Sequence, residues 1–349
     1  MPARSRFSAA PSAPDPISRP IEGRIVVLAQ RSAAVLFPSY GSAMIPDSGS
    51  KGLPTEPDEV RVCLKIADID ISIASAARSL TLALDTELYP FRTQSLAPDL
   101  CVEAAWGDLD KASEEELIFD SGGSWRLYRD GDSYLFRCYS PALGEAPYKL
   151  ARINSDFNSG VVQLHSRYFD MTRAVYPLQY PLDELLMLHL LSRGRGIEVH
   201  ACGVMYGSGD GLLFPGHSGA GKTTMARLWE KTGEITILSD DRIIVRRVDG
   251  EYWMYGTPWH GEDRFAQPVR ARLRQVYFLR QGSENALSRK TGAEAAARLF
   301  SCIFPTFYDP DGLQYTLDFC DGLTQAVSCH EVSVVPDHRV VDMLRRHAG

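Results

Sequence analysis

The sequence predicts an α/β protein: a phosphate-loop (P-loop) core with a mixed, partly antiparallel sheet, preceded by a smaller β-rich N-terminal domain. Three observations predict it. Between residues 60 and 165, apolar and polar residues alternate with period two in several short runs, the pattern of half-buried strands. The glycine-rich stretch 216–224 (GHSGAGKTT) follows a strand-like run (GLLF, 211–214) and opens a helix-like one containing Met225, Leu228 and Trp229. A strand-like run at 197–204 (IEVHACGV) reaches the strand before the loop through residues 206–210 (YGSGD). That link is too short for a helical crossover, so the two strands are expected to be antiparallel neighbours.

The elements follow in order. Residues 1–57 hold nine of the 21 prolines, many serines and almost no periodic pattern, which predicts a disordered tail or linker. A short apolar run, IVVL at 25–28, is its one strand-like piece. Residues 58–165 form the β-rich domain, which is expected to be antiparallel. Runs at 62–66 (VCLKI), 69–73 (IDISI), 124–128 (SWRLY) and 134–139 (YLFRCY) alternate in whole or in part. The last two flank 129–133 (RDGDS), which reads as a hairpin loop. Residues 161–164 (VVQL), entered through the turn-like NSG at 158–160, add a strand. No catalytic constellation stands out in this domain.

Residues 166–349 form the phosphate-loop domain. Pro181 suits a first helical turn, Leu182, Leu185, Leu186, Leu188, His189 and Leu190 follow it, and Gly194 and Gly196 stop the run. Thr291 and Glu294 have the spacing of a capping box ahead of a helix over 295–303. Asp337 is expected to cap a last helix ending near His347.

Composition narrows the function classes. A 349-residue chain favours two domains, and 44% hydrophobic with 23% charged residues is ordinary globular composition. A formal charge of −7 argues against nucleic acid as a partner, which demands a basic face. No run of about 18 apolar residues occurs, so no membrane span is expected. Arg4 and Arg6 are not followed by a long apolar stretch, so no secretory signal is expected either. The seven cysteines are widely spaced and form no CxxC pair, which fits free thiols in a reducing cytoplasm.

The stretch Gly216, His217, Ser218, Gly219, Ala220, Gly221, Lys222, Thr223, Thr224 satisfies the G-x-x-x-x-G-K-[ST] pattern. Glycines let successive backbone N–H groups turn inward onto phosphates, and the following helix adds its positive end. Lys222 can reach the β- and γ-phosphates of ATP, and the Thr223 hydroxyl can ligate Mg²⁺. The structural alternative is a glycine-rich turn matching by chance. Further on, a strand at 235–238 (ITIL) delivers Asp240 and Asp241. One carboxylate, assigned to Asp240, suffices to hold the water shell of Mg²⁺. The second, Asp241, is assigned as the base that takes a proton from an attacking hydroxyl. The alternative is that one of them caps the following turn. His200 by itself reads more readily as a satisfied core histidine than as a ligand.

The order of His200-Ala201-Cys202-Gly203, a hairpin, GHSGAGKTT and Leu238-Ser239-Asp240-Asp241 resembles the kinase core of HPr kinase/phosphorylase. It is also similar to the distantly related phosphoenolpyruvate carboxykinases. The resemblance covers roughly residues 195–245 and implies that His200 lies at the reacting phosphate or a metal. Residues 255–263 (YGTPWHGED) do not carry the Arg-Gly-Leu-Gly-type signature of the HPr kinases. They look more like divergent HPr-kinase-like proteins, some of which phosphorylate a serine of a ribosomally made peptide, as lasso-peptide tailoring kinases do. His260 and Glu262 then either face the acceptor or form a structural turn.

The resemblance implies an ATP-dependent serine kinase of the cytoplasm. Its catalytic set is Asp241, Asp240, His200 and Lys222, its cofactors are ATP and Mg²⁺, and its partner is a serine-bearing peptide or protein. A small-molecule (free-serine-type) kinase and a nucleotide-dependent regulatory switch are the alternatives, and a homo-oligomer is left open. The β-rich domain would then serve acceptor recognition or assembly. Arg270, Arg272 and Arg274 alternate along one strand, forming either a clamp for an anion or a solvated edge face.

Overall fold

The computed structural model describes residues 61–76, 79–109, 115–207, 209–233 and 235–348. The tail predicted over 1–57, with its apolar run at 25–28, lies outside these residues. The described chain is mixed α/β, with two mixed sheets and few helices.

The first sheet has nine strands among the described residues. They are β1 (Arg61–Ile66), β2 (Ile69–Ser75), β3 (Arg92–Thr93), β4 (Leu100–Gly107), β5 (Glu116–Asp120), β6 (Trp125–Asp130), β7 (Ser133–Cys138), β8 (Lys149–Asn154) and β9 (Ser159–His165). Their spatial order is β3-β1-β2-β4-β9-β8-β7-β6-β5. The expectation of an antiparallel domain needs correction, because β2–β4 and β4–β9 pair in parallel. Strands β1–β2 and the run from β5 to β9 pair in sequence as antiparallel neighbours, but β4 has only non-sequential neighbours, joined by long connections that permit parallel entry. The hairpin loop expected over 129–133 is also shorter than predicted. Strands β6 and β7 run up to Asp130 and Ser133, leaving Gly131 and Asp132, and Gly131 supplies the left-handed φ of +56° that such a two-residue loop needs.

The core of this sheet continues past residue 165. Tyr176, Leu178 and the helix α1 (Leu182–Ser192) are buried in it. All eleven residues of α1 are buried, and a helix apolar on nearly every side belongs inside a core rather than on a surface.

The second sheet contains β10 (Ile197–Tyr206), β11 (Asp210–Pro215), β12 (Ile235–Ser239), β13 (Arg242–Val248), β14 (Glu251–Gly256), β15 (Arg270–Gln281), β16 (Ala286–Lys290) and β17 (Ser328–Val334). The path β11-β10-β13-β14-β15 closes on itself, because β11 also pairs with β15 in parallel. Helices α2 (Lys222–Glu230), α3 (Gly292–Phe300), α4 (Pro310–Ala326) and α5 (His338–Ala348) complete the unit. Strands β10 and β11 are antiparallel neighbours, as their short link requires.

Two local expectations turn out differently. Thr291 precedes α3 without a side-chain capping bond, since Glu294 is drawn instead to Lys290 at 2.7 Å and Arg298 at 3.4 Å. The arginines of β15 lie on an interior strand, flanked by β14, β11 and β17. Each is held by a carboxylate: Arg270 by Asp68 at 3.1 Å, Arg274 by Asp210 at 2.6 Å, and Arg272 by Glu251. They form neither a free clamp nor an edge face. Asp337 does cap α5, accepting the Arg339 N–H at 2.9 Å.

The sheets meet at the β1–β2 turn. Ala67 and Asp68 hold left-handed φ angles of +51° and +56°, which a tight hairpin demands. The Ala67 carbonyl accepts from Arg246 at 2.6 Å, and the Asp68 carboxylate accepts from the Tyr255 hydroxyl at 2.8 Å. Among the described residues no helix is long and apolar enough to cross a membrane. All seven cysteines are free, six buried and Cys101 exposed.

Candidate functional site

The site is organised by one strand, β10. Along one edge it pairs with β11, register Ala201 opposite Pro215, so the loop after β11 starts beside His200. The Gly216 N–H donates to the His200 carbonyl at 3.1 Å and fixes that junction. Along its other edge β10 pairs first with β13, His200 opposite Arg242, and then with β12, Gly203 opposite Ser239. Asp240 and Asp241 occupy the break between β12 and β13. The Ala201 N–H reaches across to the Asp241 carbonyl at 3.0 Å. Three segments separated in sequence are thereby brought to the same stretch of backbone.

The predicted phosphate loop has the shape its glycines suggest. Gly219 and Gly221 take φ of +80° and +106°, a region unfavourable for side-chain-bearing residues. A Cβ on Gly216 would come within 2.7 Å of the Ala220 Cβ, so the loop closes tightly there. His217, Ser218 and Gly219 form an exposed rim, while Ala220, Thr223 and Thr224 are half-buried. Helix α2 starts at Lys222 behind Gly221 with no side-chain cap, which leaves its first N–H groups for another acceptor. The Lys222 ammonium is folded back, donating to the carbonyls of Gly216 at 3.0 Å and His217 at 3.2 Å. Burial pulls its pKa down to about 8, partly opposed by Asp241.

The two aspartates differ sharply. Asp240 is 1% exposed. Its Oδ1 accepts the Gly261 N–H at 2.9 Å, while its Oδ2 is buried without a hydrogen-bond partner among the described residues. Burial raises its pKa, against the pull of the Gly261 N–H. Asp241 has both oxygens engaged: Oδ1 accepts from His200 Nε2 at 2.9 Å and Oδ2 from Arg242 Nη1 at 2.5 Å. Burial works to raise its pKa, but the His200 hydrogen bond and the Arg242 charge win and bring it to about 2. The His200 pKa is lowered by burial, against the bond to Asp241. The pair is therefore an ionised carboxylate beside a neutral imidazole. An ionised carboxylate only accepts, so the imidazole proton sits on Nε2.

Beneath the pair lies a buried ionic network that the sequence reading missed. Arg242 donates to Glu184 of α1 at 2.7 Å, lies 3.5 Å from Glu198 of β10 and stacks over the Phe304 ring at 4.2 Å. Burial pushes the Glu198 carboxyl well above its ordinary range, with the Glu184 charge adding to the effect. Glu198 could have been found from the period-two pattern, since it shares a strand face with His200. Arg242 directly follows the acid pair. Nothing in the sequence links Glu184 to either.

The 255–263 segment braces the site. Thr257 donates to the Arg242 carbonyl at 2.8 Å, and Ser239 Oγ accepts the N–H groups of Asp241 and Arg242, both at 3.2 Å. Gly261 packs so closely that a Cβ there would lie 2.6 Å from Asp240 Oδ2. His260 Nδ1 donates to the Gly261 carbonyl at 2.8 Å and Nε2 lies 3.7 Å from Glu87, whereas Glu262 is exposed.

No cluster of three His, Cys, Asp or Glu side chains able to hold a metal occurs among the described residues. A magnesium ion that accompanies a nucleotide draws most of its ligands from phosphates and water, so the Thr223 hydroxyl and the unpartnered Asp240 Oδ2 fit such an ion. No family model matches the sequence, and neither does any curated protein.

Proposed function

We propose that the chain is an ATP-dependent kinase with an HPr kinase-like phosphate-loop core. It transfers the γ-phosphoryl group to a serine hydroxyl of a peptide or protein, with a ribosomal, lasso-type precursor as the favoured acceptor class. The observation that carries this reading is the convergence on β10 of the loop mouth, His200 and the acid pair. A phosphate cradle alone serves any nucleotide binder. A cradle with a histidine–aspartate pair at its mouth can also handle the proton of an attacking hydroxyl.

The chain's own residues divide the work. Backbone N–H groups from Ser218 to Thr224 and the start of α2 hold the phosphates. Lys222 exchanges its two carbonyl partners for phosphate oxygens and counters the charge on the group in transfer. Thr223 and Asp240 would hold magnesium, which when bound supplies charge neutralisation and alignment of the phosphates. Gly261 and Ser239 keep the two aspartates in place. Catalysis on this reading is positioning plus fixed electrostatics.

The test is incubation of the protein with MgATP and serine-containing peptides, followed by fragment mass spectrometry. The expected result is a phosphoserine ester and ADP formation that depends on the acceptor. ADP release unchanged by any acceptor would favour the switch alternative and sink the kinase reading.

A further inference from the structure

We propose that His200, rather than either aspartate, accepts the proton of the attacking hydroxyl, and that Asp241 is a positioning residue that fixes the histidine. The inference rests on the kinase reading above and names the base within it.

Geometry selects His200 by what each neighbour already does. Each Asp241 oxygen already accepts one hydrogen bond, Oδ1 from His200 and Oδ2 from Arg242, so the carboxylate is held from both sides. Asp240 has one oxygen on the Gly261 N–H, and the other, buried without a partner among the described residues, is the one that would serve magnesium. His200 is paired through Nε2 with Asp241, and no side-chain hydrogen bond engages its Nδ1 among the described residues. Its side chain is 13% exposed, enough for an incoming group to reach it. Its backbone carbonyl anchors Gly216, and its ring lies within reach of the Lys222 charge, beside the loop.

The Nε2–H bond to Asp241 leaves the Nδ1 lone pair available, as a carboxylate-oriented histidine base requires. The groups facing the ring are Asp241 and Arg242 from the β12–β13 break, Lys222 from α2 and the Phe304 ring, centroid at 5.9 Å. Burial and the two cations keep the imidazole neutral, and Asp241 stabilises the imidazolium once it forms.

The acceptor oxygen bonds to the γ-phosphorus, and the bond from that phosphorus to the bridging oxygen breaks, its electron pair leaving with ADP. The hydroxyl proton moves to His200 Nδ1. The imidazolium, paired with the Asp241 carboxylate, returns the proton to solvent after the products depart.

Long-range ¹H–¹⁵N spectra of the full-length, ¹⁵N-histidine-labelled protein test this without needing an acceptor. The His200 signal is assigned by its loss in His200→Gln, or in His200→Asn if the first variant does not fold. The expected spectrum at pH 7.5 is the neutral Nε2–H tautomer, with Asp241→Asn changing the tautomer balance. An Nδ1–H tautomer or an imidazolium at that pH would overturn the proposal. In parallel, MgATP binding and turnover with a pool of serine-containing peptides are followed from pH 5 to 9. His200→Gln is expected to bind MgATP, to lose about 10²–10⁴-fold in turnover and to lose the acid limb of the profile. Turnover within a few-fold of the parent, with the limb intact, would also overturn it. If the parent binds no MgATP, the kinase reading fails and takes the proposal with it. MgATP binding alongside either adverse result above sinks the assignment of His200 alone.

Discussion

Arg242→Met probes the network beneath the site independently of any assigned activity. The guanidinium is 5% exposed and serves Glu184, Asp241 and Glu198 at 2.7, 2.5 and 3.5 Å. Methionine fills much of the volume but leaves the carboxylates without their cation. Breaking a buried ion pair by removing one partner costs about 3–5 kcal/mol. For a unit of roughly 290 residues the unfolding entropy is about 0.6 kcal/mol per kelvin, so the melting temperature should fall by roughly 5–8 °C. Differential scanning calorimetry measures this directly. Adding Glu184→Gln removes one of the stranded charges, so the double variant should lose less than the sum of the single variants, by about 0.5–3 kcal/mol. A melting temperature within 1 °C of the parent for Arg242→Met, or strict additivity in the double variant, would refute the view that these charges form one network.

Lys222→Ala should weaken MgATP binding by roughly 10–150-fold, the loss of a charge-assisted contact of about 1.5–3 kcal/mol, with the circular dichroism spectrum unchanged. Near-parental affinity by calorimetry would count against the loop assignment. Gly261→Ala places a Cβ 2.6 Å from Asp240 Oδ2 and should displace that carboxylate; an overpacking strain of about 1–3 kcal/mol corresponds to a loss of transfer of roughly 5–150-fold, and an unaffected rate would show that Asp240 tolerates the shift. The Asp241 pKa of about 2 lies below its ordinary 3.8, so this residue contributes stability above about pH 3.8 that is lost as pH falls towards 2. Melting curves between pH 2 and 5 should show that loss in the parent and a smaller one in Asp241→Asn. A chain beginning at residue 166 should fail to give a cooperative melting transition, and a sharp one would show that the second sheet folds alone.

Part of this was readable from the sequence because the informative contacts are local. The loop is a contiguous motif, and the antiparallel pairing of β10 with β11 follows from a link too short to cross over. Contacts between distant residues left no such mark. Arg242 and Glu184 lie 58 positions apart, and Gly261 and Asp240 lie 21 apart. The parallel joins at β4 and the β11–β15 pairing that closes the second sheet are set by long connections that carry no pairing code. Local motifs also misled where neighbours competed: Thr291 and Glu294 have capping-box spacing, but Lys290 and Arg298 flank Glu294 at helical reach and claim its carboxylate.

Helix α1 explains why the two sheets cannot be treated as separate parts. The predicted loop, His200 and the acid pair all lie after residue 195, which suggests a site indifferent to the first sheet. Yet Glu184, the closest carboxylate to the Arg242 Nε, stands on a helix whose apolar residues are buried in the core of that sheet. The same core takes in Ile244 and Tyr255 from β13 and β14, the strands that follow the acid pair. Arg246 of β13 ties the β1–β2 turn to the second sheet through the Ala67 carbonyl. The position of Asp241 therefore runs from the first sheet through α1, Glu184 and Arg242 before it reaches His200. Removing the first sheet would strip the cover from α1 and leave Glu184 free to move. The acid pair would lose its support although none of its direct neighbours had been deleted.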